Sequence, residues 1–264
     1  MSALIDNLNK YYSTYREDLR FMERENYPEF YITIKYIEKY AFPGMKVLDI
    51  GAGPGIYSDY FAKKGYLVTS VELADSNYAM LKKKSEKFNN WNTYHANALD
   101  LSMIENDLFD ITLLFGPMYH LFEIEEQKQA VNEAIRVTKP GGKIFIAYIL
   151  NDALIVKWGF LKGKLIQAMQ EQKIDDHYNR VSDSNLFLFK STNISTIESF
   201  IDGFKLKQLN LVATDGLSLI ISDELKKMND DLYSNWLKYI EETCERRDLL
   251  GYSYHILQIC EKNE

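Results

Sequence analysis

The sequence predicts an α/β fold in which helices cover both faces of an open, doubly wound parallel sheet. Short apolar segments alternate along the chain with longer segments of helical periodicity, which is the pattern of consecutive βαβ units. A glycine-rich turn closes the first of these apolar segments. No linker rich in proline, glycine or serine interrupts the 264 residues, so we expect a single domain over residues 1–264.

Residues 1–45 are predicted to be helical and to precede the sheet. They are unusual in tyrosine, since seven of the 19 tyrosines lie in the first 40 residues. A second helix is predicted over about residues 29–40, before Pro43 and Gly44. A first helix is indicated by side chains at helical spacing, namely Leu8, Tyr11, Tyr12, Tyr15, Leu19 and Met22.

Residues 46–150 carry the regular alternation of strand and helix. Asp75 is predicted to cap the second of the intervening helices. The turn Lys139–Gly142 is predicted to precede the fifth strand. The predicted strands are 46–50, 66–71, 91–95, 109–115 and 143–150, and the predicted helices are 55–64, 75–88 and 125–137.

Residues 151–264 are predicted to complete the sheet around helical insertions. Two more strands, making seven, are expected at 204–213 and 253–261. The predicted helices in this part of the chain cover about 153–171, 193–202 and 223–246.

Composition excludes several classes of protein. Asp and Glu number 38 against 31 Lys and Arg, and this acidic balance argues against a protein that grips nucleic acid through its phosphates. The longest uncharged stretch, Ile111–Phe122, is well short of the ~20 apolar residues of a membrane span, and the N-terminus has no signal-peptide pattern. Cys244 and Cys260 form no CxxC pair or His/Cys cluster, so we expect a cytoplasmic protein with reduced thiols and no metal site.

The glycine-rich turn indicates a ligand at the end of the first strand. Gly51, Gly53 and Gly55 lie where the strand gives way to a helix, and glycine there leaves space for a ligand against the backbone. Glu72 ends the second strand, where an acid can accept hydrogen bonds from both ribose hydroxyls of an adenosine. This pattern leaves NAD and S-adenosylmethionine (SAM) as candidates.

Asp49 favours SAM over NAD. A carboxylate two residues before the first glycine would repel the pyrophosphate of NAD, whereas the ammonium and sulfonium of SAM would attract it. The spacing points the same way, because Ile56 stands where a dinucleotide-binding G-x-G-x-x-G motif needs glycine. No G-K-[ST] follows, which excludes a P-loop.

Five segments together resemble the class I SAM-dependent methyltransferases. They are VLDIGAGPG (47–55), VTSVELA (68–74), NALDLS (97–102), FDITLLFGPMYHL (109–121) and RVTKPGGKIFIAY (136–148). The closing SYHILQICEK is similar to the reversed last strand of that family. The resemblance implies a Rossmann-like sheet of order 3-2-1-4-5-7-6 with strand 7 antiparallel.

The same resemblance implies the residues of the cofactor site. Glu72 would bind the ribose of SAM, and Leu73 would pack on its adenine. Asn97 would accept a hydrogen bond from the adenine amino group through its side-chain oxygen, and the backbone N–H of Ala98 would meet the ring. The residues expected at the methionine end are Asp49, Gly51, Ala52, Gly53 and Gly55, and those expected to face the sulfonium are Phe115 and Gly116.

The N-terminal helices and the loop after the fourth strand are the candidates for the acceptor side. In similar methyltransferases an N-terminal segment folds over the cofactor as a lid, so Tyr12 or Tyr15 would contact cofactor or substrate, or else pack in the core. His120 is a candidate general base or a histidine bonded to the backbone, and Tyr119 is a candidate pocket residue. Arg20 and Arg24 either reach an acidic group or lie on a solvated face.

The leading hypothesis is an enzyme that transfers a methyl group from SAM to N, O or C of a small molecule. Phe115-Gly116-Pro117-Met118 differs from the [Asn/Asp]-Pro-Pro-[Tyr/Phe] turn of enzymes that methylate adenine, cytosine N4 or glutamine amides. The alternatives are an RNA or protein methyltransferase and a regulatory module that binds SAM without catalysis; a nicotinamide oxidoreductase is disfavoured. We expect no nucleic-acid or membrane partner, and the oligomeric state is open.

Overall fold

The computed structural model describes residues 2–263, and the strands of this range form one sheet in the order β3-β2-β1-β4-β5-β7-β6. Strands β1 to β5 pair in parallel, whereas β7 runs antiparallel to both β5 and β6. This confirms the predicted order and the reversed last strand. The strands are β1 (Lys46–Ile50), β2 (Leu67–Glu72), β3 (Trp91–His95), β4 (Phe109–Leu114), β5 (Thr138–Ile149), β6 (Leu206–Ala213) and β7 (His255–Lys262).

Helices cover both faces of the sheet and bury an apolar cluster on each. One cluster joins Ile37 and Phe61 to the Val47 side chain of β1, and the other joins Leu48 and Val131. Strand β1 is buried on both faces, which accords with its three apolar residues Val47, Leu48 and Ile50. The helices of this part are α2 (Tyr27–Glu38), α3 (Ile56–Lys63), α4 (Asp75–Ser85), α5 (Pro117–His120) and α6 (Ile124–Val137).

Two predicted boundaries in the core need correction. Asp75 is the first residue of α4 and Ala74 is its N-cap, and the Glu72 carboxylate accepts the Ala74 N–H. Strand β5 begins at Thr138, five residues before its predicted start, because Thr138 already pairs with Phe109. The predicted turn at 139–142 is an irregularity within this strand.

The N-terminal segment is two short elements where one continuous helix was predicted. Helix α1 (Ser2–Thr14) is followed by a 3₁₀ helix (Glu17–Met22). The 3₁₀ helix carries Arg20, whose largely buried guanidinium pairs with Glu17 in the same helix and with Glu29 in α2.

The predicted helices of the C-terminal third are interrupted. Gly163, at a φ of +68°, separates a π-helix (Ile155–Leu161) from the helix that follows it. Asn229 caps the last helix by accepting the Leu232 N–H, which breaks the predicted helix over 223–246. The helices here are α7 (Asn151–Leu154), α8 (Leu165–Gln170), α9 (Ile194–Phe200), α10 (Ser222–Leu225) and α11 (Asp230–Thr243).

No helix among residues 2–263 combines the length and the apolar character needed to cross a membrane.

Candidate functional site

A cavity lies at the carboxyl ends of β1, β2 and β4, which is where open α/β sheets bind ligands. Side chains of α1 and of the 3₁₀ helix contribute to its lining. Of the site residues predicted from the sequence, Gly55 lies outside the lining, and so does Tyr15, which was the alternative to Tyr12. The others line it: Tyr12, Asp49, Gly51, Ala52, Gly53, Glu72, Leu73, Asn97, Ala98, Phe115, Gly116, Tyr119 and His120.

The three glycines of the loop serve different purposes. All three have positive φ, but a Cβ on Gly51 would come within 2.4 Å of the Phe115 carbonyl oxygen. A Cβ on Gly55 would come within 2.6 Å of Leu81 Cδ1, so that glycine is needed for packing beneath the loop. Gly53 differs, since a Cβ on it would have Glu17 Cγ, at 4.0 Å, as its nearest neighbour. Of the three, Gly53 is therefore the one that leaves open space for a ligand.

Glu72 holds the glycine loop in place. Its Oε2 accepts the backbone N–H of Gly53 and its Oε1 accepts that of Ala74, both at 2.7 Å. The residue is 7% exposed, and this burial raises the pKa of its carboxyl group while the backbone hydrogen bonds oppose the rise. Each carboxylate oxygen can accept a second hydrogen bond, so Glu72 retains acceptors for a ligand hydroxyl.

Asp49 places a carboxylate oxygen without a partner in the cavity. Its Oδ2 accepts a hydrogen bond of 2.6 Å from Ser58 Oγ, whereas Oδ1 is buried and has no partner within residues 2–263. Burial raises the pKa of Asp49 to about 7, the Ser58 hydrogen bond opposes the rise, and the charge of Glu72 adds to it. A buried acceptor in this state indicates a site for a hydrogen-bond donor or a cation.

The next part of the cavity is built from Leu73, Asn97 and Ala98. The Asn97 Oδ1 already accepts the Leu99 N–H at 3.0 Å, and it has a second lone pair for a ligand donor. Asn77 of α4, which the sequence did not single out, also lines the cavity. Its Oδ1 is buried without a partner among the described residues, and no motif in the sequence signals it.

Tyr12 and His120 close the opposite side of the cavity. The Tyr12 hydroxyl lies 3.1 Å from His120 Nε2, and His120 Nδ1 lies 3.2 Å from the Leu188 carbonyl oxygen. Burial lowers the pKa of His120 to about 4, so its ring is neutral near pH 7. A neutral ring must donate from Nδ1 to the carbonyl, and its Nε2 therefore accepts from Tyr12. Both ring nitrogens are engaged.

The cavity is also lined by charged side chains that the sequence analysis did not assign to the site. Arg20 lines the cavity and pairs with Glu17 and Glu29, so of its two predicted alternatives it reaches acidic groups and does not lie on a solvated face. Arg24 instead contacts Asp230 and the Met228 carbonyl at the surface. The i,i+3 spacing of Glu17 and Arg20 was the available signal for the first group.

His255, the first residue of β7, also lines the cavity. Its Nδ1 lies 2.8 Å from Asp215 Oδ2. The pairing joins residues 40 positions apart, which no local motif could have indicated.

Known proteins resemble this chain in sequence. Residues 48–146 match a family model described as a methyltransferase domain. The ubiquinone/menaquinone biosynthesis C-methyltransferase UbiE of Shewanella sediminis is 40% identical over 115 residues, which cover 40% of this chain and 43% of that protein. The demethylmenaquinone methyltransferase of Renibacterium salmoninarum is 35% identical over 107 residues, which cover 40% and 42%. The chain therefore spans less than half the length of these curated relatives.

Solved structures extend the likeness of fold to the whole chain. The 1,6-didemethyltoxoflavin-N1-methyltransferase of Burkholderia thailandensis, crystallised with S-adenosylhomocysteine (SAH), matches with a TM-score of 0.60 at 12% identity. That alignment covers 100% of this chain and 88% of the other. Residues 48–146 thus match a methyltransferase domain, and the sheet order and the glycine loop between Asp49 and Glu72 are those that the resemblance to the class I SAM-dependent methyltransferases implies.

Proposed function

We propose that this protein transfers the methyl group of SAM to a nucleophilic atom of a small molecule held in the cavity beneath α1. The observation that carries the proposal is the buried Asp49 Oδ1, which has no partner in the described chain and lies beside an open glycine loop. A buried carboxylate oxygen is costly unless a donor reaches it, and a ligand ammonium is such a donor. Near neutral pH, such a cation would favour the ionised form of Asp49.

The other residues that line the cavity fit the parts of SAM that the sequence analysis assigns to them. Gly53 leaves room for the methionine end, Glu72 has free acceptor capacity for the ribose, and Asn97 has it for the adenine amino group. Phe115 and Gly116 line the cavity at the end of β4, where the expectation places the sulfonium. SAM, when bound, supplies the methyl group on an electrophilic sulfonium, so the protein's task is to position an acceptor in line with it.

A small acceptor is favoured because the cavity is covered. Tyr12 and Leu8 of α1 line it, and the hydrogen bond between Tyr12 and His120 fastens α1 to α5. A cover of this kind excludes water from the reacting groups, whereas an RNA or protein acceptor needs an open cleft. The names of the curated relatives also refer to small molecules, the quinones.

The proposal extends to the organisation of the chain. Residues 1–45 would act as the lid, 46–150 as the cofactor-binding core and 151–264 as the rest of one domain. Tyr119 and His120 would line the acceptor side, with His120 holding the lid closed through Tyr12. A cytoplasmic location is supported by Cys244 and Cys260, which are free and buried.

Measurement of SAH formation tests the proposal. The purified protein is incubated with SAM and a panel of phenols, hydroquinones, and primary and secondary amines. We expect SAH to form with at least one acceptor class, and Asp49→Asn to lower its rate at least tenfold at subsaturating SAM. If SAM binds but no acceptor yields SAH, the protein is the non-catalytic SAM-binding module.

A further inference from the structure

His255 is a buried histidine of the cavity to which the site described above assigns no task. It is 8% exposed and belongs to β7, on the far side of β4 and β5 from the glycine loop. It lines the same cavity as Gly116 and Tyr119, which follow β4. Its place in the fold is therefore on the acceptor side.

The hydrogen bonds of His255 fix which ring nitrogen carries the proton. Nδ1 lies 2.8 Å from Asp215 Oδ2 and 3.1 Å from Glu29 Oε2. Both neighbours are carboxylate oxygens, which only accept, so Nδ1 carries a hydrogen. In the neutral ring Nε2 then has a free lone pair, and Nε2 makes no hydrogen bond to any residue of the range 2–263.

Asp215 is itself held rigidly, which orients the imidazole. Its Oδ1 accepts the backbone N–H of Tyr254 at 2.9 Å and that of His255 at 3.0 Å, together with the hydroxyl of Ser253. The other oxygen, Oδ2, accepts the hydrogen bond from Nδ1 of the His255 ring. The arrangement of a buried carboxylate, an imidazole and an open Nε2 is the one that makes histidine a directed proton acceptor.

The His255–Asp215 pair is surrounded by positively and negatively charged side chains. Arg20 binds Glu29 from the 3₁₀ helix and also pairs with Glu17, so the Glu29 charge is shared. Tyr254 packs on the His255 ring, with 4.2 Å between the ring centroids. His120 has no free ring nitrogen to act as a base, because its two nitrogens are engaged by Tyr12 and by the Leu188 carbonyl.

We propose that His255 is the general base of the reaction, with Asp215 as the residue that positions it. This rests on the proposed methyl transfer. The acceptor gives its proton to Nε2 and its electron pair to the methyl carbon. The carbon–sulfur bond of the cofactor breaks, and sulfur keeps the electron pair of that bond. The products are the methylated acceptor, SAH and a protonated His255. The acceptor is therefore a compound whose nucleophilic atom must lose a proton, such as a phenol, an alcohol or an amine.

Nitrogen NMR of the imidazoles tests the tautomer without any acceptor. The protein is labelled with ¹⁵N-histidine and bound to SAH, and His255→Ala assigns the signals. We expect His255 to carry hydrogen on Nδ1 with Nε2 unprotonated, and Asp215→Asn to shift the population towards hydrogen on Nε2. Hydrogen on Nε2 in the wild type would overturn the proposal.

Kinetics with the most active acceptor of the panel provide the second test. We expect His255→Ala to lower kcat by about 10²–10⁴-fold while the SAH dissociation constant changes less than threefold. The exposed His177 gives the matched control, since His177→Ala should leave kcat unchanged. Added imidazoles should rescue His255→Ala, and more strongly as their basicity rises, which a merely structural residue would not show.

The outcomes separate the two proposals. A folded His255→Ala variant with a kcat within threefold of His177→Ala contradicts the general base and leaves methyl transfer standing. A panel that yields no SAH contradicts the proposed function, and the tautomer measurement then still decides whether His255 has an oriented, open Nε2. If Asp215→Asn does not fold, the wild-type tautomer and the rescue of His255→Ala carry the test.

Discussion

The hydroxyl of Tyr12 lies 3.1 Å from Nε2 of His120, across 108 residues of chain, and joins the first helix to the turn that follows β4. The two rings are packed edge to face, with 6.0 Å between their centroids. Both side chains line the cavity at the ends of the strands. The contact gives the N-terminal segment a defined position over the site.

We therefore expect Tyr12→Phe to loosen the N-terminal segment. The substitution leaves the buried His120 Nε2 without a donor, which costs about 1–3 kcal/mol. Hydrogen exchange over residues 5–22 in the SAH complex should become faster than in the wild type. Tyr15→Phe is the control, because Tyr15 is 38% exposed and its hydroxyl makes no hydrogen bond to the described residues. Equal exchange in the two variants would contradict the role of Tyr12.

Glu72→Ala should weaken cofactor binding at least tenfold in a protein that remains folded. It removes the acceptors for Gly53 N–H and Ala74 N–H as well as the acceptors expected for the ribose. Hydrogen bonds to a charged group contribute about 1.5–3 kcal/mol each. Calorimetric titration with SAH measures the loss, and Glu86→Ala, on the exposed side of the segment after α4, is the control. An unchanged dissociation constant would move the ribose contact to another residue.

The ionisation of Asp49 predicts a pH dependence of both binding and stability. Burial raises its pKa from 3.8 to about 7, so the ligand-free fold loses stability as the pH rises from about 4 to about 7. A ligand ammonium favours the ionised form of Asp49. The affinity for SAH should therefore increase as the pH rises from 5.5 to 7.5, by up to about tenfold per pH unit below the pKa of Asp49.

Asp49→Asn separates these effects from those of other groups. Without a titrating carboxyl group, the variant should bind SAH weakly at all pH values and with a flatter profile. Ligand-free, it should melt at a higher temperature than the wild type at pH 8, because no buried charge has to form. A wild-type affinity for SAH that is the same at pH 5.5 and 7.5 would contradict this interpretation.

Gly53→Ala and Gly55→Ala should fail in different ways. A Cβ on Gly55 would collide with Leu81 and Trp91, so this variant should lose several kcal/mol of folding stability. A Cβ on Gly53 meets open space, so that variant should suffer mainly in SAH binding, apart from about 1 kcal/mol for its positive φ. Melting curves and titrations of both variants provide the comparison, and a reversed order would refute the division of tasks.

The sequence predicted the part of the site that is formed by a single local motif. Asp49, Gly53 and Glu72 belong to strand ends and to the turn between them, and their spacing alone indicates their proximity. The strand order followed from the family resemblance, and the structure has the same order.

The acceptor side could not be derived in this way. Glu29, Asp215 and His255 come from three distant segments, and only the pairing of β6 with β7 and the packing of α2 bring them together. The sequence left the environment of Arg20 open because its partner Glu29 lies beyond a break in the helix, and periodicity does not show such a break. Helical periodicity likewise missed the interruption at Gly163, whose positive φ depends on tertiary context.

We propose that the cleft between Asp49 and Glu72 is a site for SAM and not for a dinucleotide. Calorimetric titration of the purified protein with SAM, SAH and NAD tests it most directly. We expect SAM and SAH to bind with micromolar dissociation constants and NAD to give no signal, because its pyrophosphate would lie against the Asp49 carboxylate, which has no cation beside it among the described residues. Tight binding of NAD with no heat from SAM or SAH would contradict a SAM site in this cleft.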